Sequence, residues 1–227
     1  CMLLWLVMFS NLLMAQDFTW EDISRGNLNM QCIVVGTENS RIIFAGSSGN
    51  ILKSDDAGLS WRNVLMLRRD INAISFNRAD PNIVYAATGN GLYRSNDLGG
   101  RWSRIFRGKN NLENQCTAVL DTAGAIFAGT RAGLFVSFDG GRIWHKEDGK
   151  IGSNAILNID ASKLGDGSIF KKIEPSPSYP IIYLSATSGI FKSSDSGKSW
   201  EKIFAADIKR SDETEALEDE STDEPEK

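Results

Sequence analysis

Four aspartates occupy matching places along this sequence, and carboxylates in a fixed pattern are the first residues to test for chemistry. Each lies two residues after a Ser, two before a Gly and five before a Trp. Carboxylates about 5 to 10 Å apart serve glycosidases as acid, base or nucleophile, and carboxylate clusters bind calcium. The four sets are Ser54/Asp56/Gly58/Trp61, Ser95/Asp97/Gly99/Trp102, Ser137/Asp139/Gly141/Trp144 and Ser193/Asp195/Gly197/Trp200.

The same residue types also suit a self-contained turn, which we call a box turn. Ser95 and Asp97 can accept hydrogen bonds from backbone amides of their own turn, and Gly99 suits a left-handed backbone position. The indole of Trp102 is expected to cover the end of a hairpin and to bury a large apolar area. Each aspartate has this local duty in a separate repeat, so we predict a structural role for the four sets, no catalytic residue and no metal site.

The elements around the second box turn predict a four-stranded unit. Residues 82–88 and 91–95 are short β-branched and aromatic runs joined by a Gly-Asn-Gly turn, which is typical of a hairpin. A strand at 71–76 precedes them, and the Trp102 segment begins a fourth. Four antiparallel strands in a repeat of about 41 residues are typical of a β-propeller blade.

Spacing along the chain supports the repeat. Successive box tryptophans are 41, 42 and 56 residues apart, so the fourth unit contains an insertion, between residues 159 and 181. An aromatic residue stands ten places before every box serine. These aromatics are Phe44, Tyr85, Phe127 and Tyr183.

The pattern resembles the Asp-box, or bacterial neuraminidase repeat, family, whose motif is S-x-D-x-G-x-[ST]-W. The first and fourth boxes match fully through Ser60 and Ser199, whereas Arg101 and Ile143 depart from the motif. The run IVYAATGNGLYRSNDLGGRW is similar to blades of sortilin-type receptors, xyloglucanase-type glycosidases and the photosystem II assembly factor. This resemblance implies a propeller fold; it does not imply an activity, because the family includes enzymes and non-enzymes.

We therefore predict an all-β chain: a β-propeller of four Asp-box blades, each of four antiparallel strands. The resemblance covers residues 18–204, and the segment FTWEDI at 18–23 repeats the strand that follows each box, which adds one extra N-terminal strand. Because no further strands follow residue 204, we expect an incomplete or open ring whose exposed edges favour self-association. Within a propeller domain at 16–206, the blades fall near 24–66, 67–107, 108–149 and 150–205.

The two ends differ from this body. Residues 2–15 are apolar and uncharged, which fits a signal peptide or apolar leader over 1–15 and an exported protein without a stable membrane span after its removal; a buried or interfacial anchor helix is the alternative. Residues 207–227 are predicted to be a disordered acidic tail. The nine acids and single lysine of 211–227 carry a net charge of −8, which leaves +4 for the rest of the chain.

Other chemistry finds little support in the sequence. A single histidine, His145, cannot build a zinc site or a His-based triad. Cys32 and Cys116 fall in different repeats and are expected to be buried, unpaired side chains. Because a glycine-rich loop that opens a helix is absent from the sequence, we predict no cofactor and no nucleic-acid partner.

Propeller topology suggests where a ligand binds. Turns between second and third strands, and connections from one repeat to the next, share one side of the domain, here called the hairpin side; the box turns lie on the opposite, box side. The loops of the hairpin side, taken to include 62–70, hold few acids, namely Asp70, Glu113, Glu147 and Asp148. The candidate ligand-face residues are Arg68, Arg69, Arg107, Lys109, Arg131 and Lys150.

Three functions remain open at this stage. The favoured one is a non-catalytic binding or scaffold module whose basic face takes an anionic protein segment or glycan. The second is a sialidase-like or xyloglucanase-like glycoside hydrolase, or a fragment of one, for which Asp70 and Asp148 are the only candidate acids on the hairpin side. The third is a role like that of the photosystem II assembly factor, which requires a photosynthetic source.

Overall fold

The computed structural model describes residues 29–122, 124–162 and 180–205. The predicted leader, the extra strand at 18–23, most of the insertion at 163–179 and the acidic tail lie outside these ranges. The described chain is all-β apart from one short helix, α1 (Asn111–Asn114), and its strands pair antiparallel in three sheets.

The first sheet has six strands that neighbour one another in chain order. Two of them are long because each serves two partners: β2 pairs with β1 and β3, and β3 pairs with β2 through Arg62–Asp70 and with β4 through Ile71–Phe76. The strands are β1 (Met30–Val35), β2 (Ile43–Ser54), β3 (Arg62–Phe76), β4 (Val84–Thr88), β5 (Gly91–Ser95) and β6 (Ser103–Phe106).

The other two sheets have four strands each, again in chain order across the sheet. One contains β7 (Cys116–Thr122), β8 (Ala125–Thr130), β9 (Gly133–Ser137) and β10 (His145–Lys146). The other contains β11 (Ile156–Ala161), β12 (Ile182–Ala186), β13 (Gly189–Ser193) and β14 (Glu201–Ala205).

The strands fall into four consecutive groups along the chain, and each group contains one box turn. The first group comprises β1, β2 and the first half of β3; the second comprises the rest of β3 with β4, β5 and β6. The third group is β7–β10, and the fourth is β11–β14. The long β3 corrects one expectation: residues 62–70 form no loop but belong to this strand, which pairs with β2 over residues 62–66 and again at Asp70.

The apolar core lies between successive groups. One cluster joins Phe44 and Ile51 of the first group to Ile74 and Val84 of the second. A second cluster lies between the second and third groups, and a third between the third and fourth. Each group therefore obtains its core from its neighbours, as in other repeat proteins.

Two of the box tryptophans make the same contact between groups. The rings of Phe44 and Trp102 meet edge to face with centroids 6.4 Å apart, and Phe127 and Trp200 repeat the arrangement at 6.3 Å. The partner in both pairs is the aromatic ten residues before the preceding box serine. The indole thus packs against the preceding group, a contact that adds to the end-of-hairpin role expected from one repeat alone.

The third box departs from this arrangement. The ring that meets Trp144 edge to face is Phe106 of β6, with centroids 5.0 Å apart, rather than Tyr85 at the matching place. The Trp144 Nε1–H points to the preceding group as well, since it donates to the Ile105 carbonyl at 2.9 Å. Trp144 therefore joins the third group to the second, as Trp102 joins the second to the first, but it does so through the last strand of the preceding group.

The burial expected for the indoles needs a correction. Trp200 is 5% exposed, whereas Trp61, Trp102 and Trp144 are only half-buried. These three indoles therefore remain partly exposed to solvent. Trp61 also has no preceding group to pack on within the described ranges, which begin at residue 29.

The box glycines share a backbone angle but differ in the space around them. All four have positive φ, between +82° and +92°. A Cβ atom added at Gly99 would lie 2.7 Å from Cε1 of Phe44, and one at Gly197 would overlap Cε1 of Phe127. A side chain at these two positions is excluded both by the backbone conformation and by the ring beneath it.

The other two box glycines do not lie against such a ring. At Gly141 an added Cβ would lie 3.1 Å from Cδ1 of Ile105, the flexible end of an aliphatic side chain. At Gly58 the nearest atoms, in Trp61 and Ile43, would be 3.8 and 3.9 Å away. Backbone angle alone therefore favours glycine at Gly58, and an aliphatic neighbour adds a milder restriction at Gly141.

We expect Gly99→Ala to lower the free energy of unfolding more than Gly140→Ala, by about 1 to 3 kcal/mol of overpacking. Gly140 is the matched control: its φ is +75°, an added Cβ would contact nothing within 4 Å, and Ala57 already adopts φ +61° at the corresponding place of the first box. Urea denaturation of both variants measures the difference, and equal losses would show that Phe44 does not exclude a side chain from Gly99.

Candidate functional site

Each box turn is built on one serine hydroxyl and one carboxylate. In the second box, Ser95 Oγ donates to Asp97 Oδ1 at 2.8 Å and accepts from the Gly99 N–H at 2.8 Å. The Arg101 N–H donates to Asp97 Oδ1 at 2.7 Å. The side chains thereby satisfy backbone amides that the turn would otherwise leave unpaired. The glycine to serine bond is also 2.8 Å in the other three turns, at Gly58, Gly141 and Gly197.

Two of the indoles close their own turn with a further bond. Trp61 Nε1 donates to the Gly58 carbonyl at 2.9 Å, and Trp144 Nε1 donates to the Gly141 carbonyl at 3.1 Å. In the first and third boxes the glycine is thus bonded through both its N–H and its carbonyl. Its role there is to hold the turn and the indole together.

The residue before the tryptophan sets how many bonds the carboxylate accepts. In the first box, Ser60 donates to Asp56 from both its backbone N–H (2.8 Å) and its hydroxyl (2.6 Å). Ser199 does the same to Asp195 in the fourth box. Arg101 gives a backbone bond only, as does Ile143 in the third box, so the two departures from the motif each remove one hydroxyl donor.

These donors lower the pKa values of the box carboxyls. The pKa of Asp56 falls to about 2, because the Ser60 hydroxyl, the Ser60 N–H and the Ser54 hydroxyl all donate to its charged form. The Arg101 N–H and the Ser95 hydroxyl lower the pKa of Asp97 in the same way. Such carboxylates are already occupied by their own turns.

The remaining candidates for chemistry are dispersed. Within the described ranges, no group of three His, Cys, Asp or Glu residues is placed to hold a metal ion. His145 is exposed on β10. Cys32 and Cys116 are free thiols, and burial raises their pKa values to about 11 and about 12, which disfavours the reactive thiolate.

A polar cluster that the sequence analysis missed connects three groups on the box side. Asp121 in β7 accepts hydrogen bonds from Asn77 Nδ2 at 2.6 Å and from the Tyr85 hydroxyl. Arg78 pairs with Asp160 of the fourth group at 2.9 Å. Burial, and then the Asp121 carboxylate, raise the pKa of Tyr85, so the phenol is held as a neutral hydrogen-bond donor.

The hairpin side is organised by one backbone bond that recurs. In each case a backbone N–H of the turn between the second and third strands of a group donates to the carbonyl of the residue that comes directly before the first strand of the same group. The bond joins Gly89 N to Asp70 O at 2.9 Å, Arg131 N to Gln115 O at 3.1 Å and Thr187 N to Ala155 O at 3.0 Å.

All six predicted ligand-face cations are exposed. Arg68 and Arg69 project from β3, Arg131 from the β8–β9 turn, and Lys150 from the chain after β10. Arg107 and Lys109 precede α1, whose Asn110 cap and Glu113 carboxylate bind backbone amides of that connection. None of the six side chains pairs with an acid within the ranges that the structure describes.

A shallow open groove of about 260 Å³ was also not foreseen from the sequence. It lies between the outer strands of the third group and the fourth box turn. Its lining residues are Val136, Phe138, His145, Lys146, Glu147, Gly197 and Lys198. No helix in the described part of the chain is long and apolar enough to cross a bilayer.

Known structures with this arrangement of strands are β-propellers. An ancestral GH74 enzyme matches over 82% of this chain with a TM-score of 0.61 and 17% identity. The GH74 xyloglucanase from Xanthomonas campestris matches over 77% (TM-score 0.57, 16% identity), and the extracellular domain of a hybrid two-component system from B. thetaiotaomicron over 78% (0.56, 16%). The described residues thus have a β-propeller fold.

This likeness extends to the fold alone. The chain spans 25%, 30% and 21% of the lengths of those three proteins. No protein-family model and no curated protein matches it.

The lowered carboxyl pKa values make stability depend on acid pH. Because the pKa of Asp56 is about 2 in the folded state against an ordinary 3.8, its contribution is fully present above about pH 4 and is lost as the pH falls towards 2. The thermal midpoint should therefore drop across that interval, and drop less in Asp56→Asn, which cannot titrate. Identical slopes for the two proteins would contradict this assignment.

Proposed function

We propose that this chain is an exported, non-catalytic Asp-box propeller module that binds an anionic protein segment or glycan on its hairpin side. The observation that carries the proposal is the set of six exposed cations there, unpaired within the described ranges. Cations already engaged by neighbouring acids would have little left to offer a ligand, whereas these are free to pair with one.

The four groups of strands are, on this proposal, four blades of an incomplete propeller. The repeated Ser-Asp-Gly bonds support membership of the Asp-box family, since the hydroxyl to carboxylate bond is 2.8 Å in all four turns. The apolar run at 2–15 supports export.

The chemistry of the described residues favours binding over catalysis. Where a carboxyl pKa is displaced, it is lowered, and the cause is a bond within a turn or an ion pair. A glycosidase acid needs the opposite, a raised pKa that keeps its proton at neutral pH. The two displaced thiol pKa values are raised, which disfavours a cysteine nucleophile.

A glycoside hydrolase is the competing proposal, because the matched structures include GH74 enzymes. Its candidate acids, Asp70 and Asp148, are exposed on β3 and after β10. Release of reducing sugar from xyloglucan, or of sialic acid from a sialoside, that is lost in Asp70→Asn or Asp148→Asn would establish catalysis. We expect no release.

Binding should follow the charge of the hairpin side. Immobilised heparin and polyglutamate are suitable anionic probes, and affinity for whichever probe binds should fall as salt rises, since exposed charges are screened beyond about 8 to 10 Å. Combining Arg68→Glu, Arg107→Glu and Arg131→Glu should weaken binding by about tenfold or more.

Arg101→Glu with Arg142→Glu and Lys198→Glu is the matched control, because all three cations are exposed in box turns on the opposite side and the change in net charge is the same. The control should bind almost as the unchanged chain does. Equal losses in both variants would indicate attraction to net charge alone, and salt-insensitive binding would exclude the basic face as the site.

A further inference from the structure

The fourth group, the last that the structure describes, differs from the first three in the burial of one aromatic residue. The aromatic ten residues before the box serine is covered in the first three groups, where Phe44, Tyr85 and Phe127 are exposed by 0%, 2% and 0%. Tyr183 holds the same position in the fourth group and is exposed by 42%. In each of the first three groups, the next group along the chain covers this aromatic side chain.

Tyr183 belongs to a surface of the fourth group, called the back face, whose other apolar residues are also exposed although their counterparts in earlier groups are buried. Ile190 and Phe204 pair directly across β13 and β14 and are 38% and 59% exposed. Their counterparts in the second group, Leu92 and Phe106, also pair directly and are buried by the third group. The back face of the fourth group therefore has the shape of a contact surface for a further group.

Lys192, a cation on the back face, corresponds to a residue that makes a contact between groups elsewhere in the chain. Lys192 stands one place before the box serine, as Arg94 does in the second group. Arg94 Nη1 donates to the Gly140 carbonyl of the next box turn at 2.8 Å. A cation at this place can thus bind the backbone of an incoming box turn.

The opposite end of the array shows the complementary surface, called the front face. Ile33 of the first group pairs with Ala45 and is 67% exposed. Val119, its counterpart in the third group, pairs with Ala128 and is 6% exposed, because the second group covers it. Val35, two residues after Ile33 in β1, is 46% exposed.

We propose that the back face of the fourth group binds the front face of the first group in a second copy of this chain. The contact continues the interface that already joins successive groups three times within one molecule. It places Trp61 and the first box turn against Tyr183 and Phe204, with Lys192 facing the box backbone. Such a contact is head to tail, so each molecule offers two different surfaces and assembly proceeds to a ring or a chain.

The full chain should show concentration-dependent association in sedimentation velocity. Ile33→Asp removes the front face and Ile190→Asp the back face, and each should weaken self-association about tenfold or more. Tyr183→Ser provides a second back-face variant if Ile190→Asp does not fold. Leu112→Asp is the matched control, because Leu112 is an exposed apolar residue on α1, away from both faces, and it should associate like the unchanged chain.

Mixing the two variants distinguishes this contact from a symmetric one. Ile33→Asp keeps its back face and Ile190→Asp keeps its front face, so the mixture should form a one-to-one dimer that neither variant forms alone and that grows no further. A full chain that stays monomeric at all concentrations overturns the proposal, as does association of Ile33→Asp through two back faces. Loss of association in Leu112→Asp would equally contradict it.

Discussion

The contact that joins one group of strands to the next depends on the close approach of a box glycine to the aromatic ring of the preceding group. At Gly99 and Gly197 there is no room for even one carbon atom between the turn and the ring. The indole of the same box packs edge to face on that ring. The turn that ends one hairpin is therefore also the part that joins two neighbouring groups, and its internal hydrogen bonds hold the glycine at the required backbone angle.

The hydrogen bonds of the box turns also favour a structural role for the box carboxylates. Asp56 and Asp97 accept bonds from their own serines and from backbone amides, and their lowered pKa values follow from those bonds. Residues that bind their own backbone so fully are poorly placed to exchange protons with a substrate. The exposed cations of the described residues on the opposite, hairpin side are the groups that we propose to bind a ligand.

Local structure was predictable from the sequence wherever turn chemistry fixed it. The hairpin turn before Gly91 and the left-handed Gly99 follow from residue type. The partner of Trp102 did not follow, because the angle between successive sheets decides which ring the indole meets. Asp121 was likewise overlooked: it bonds to Tyr85 and Asn77, about forty residues earlier, and no periodic signal marks such a pair. The run at 62–70 was wrongly expected to be a loop because two arginines and an aspartate are residue types common in loops, whereas the run belongs to β3 and pairs with β2 on both sides of an irregularity at 67–69.

Arg78 gives the array a property that contacts between neighbours cannot supply. It leaves the second group, passes the third, and binds the Asp160 carboxylate and the carbonyls of Ala161 and Ser162 in the fourth. Contacts between adjacent groups depend on the angle between one pair of neighbours, whereas a bond between alternate groups depends on two such angles at once. A change in either angle requires the Arg78 guanidinium to release its acceptors in the fourth group, so this side chain couples the two interfaces of the third group.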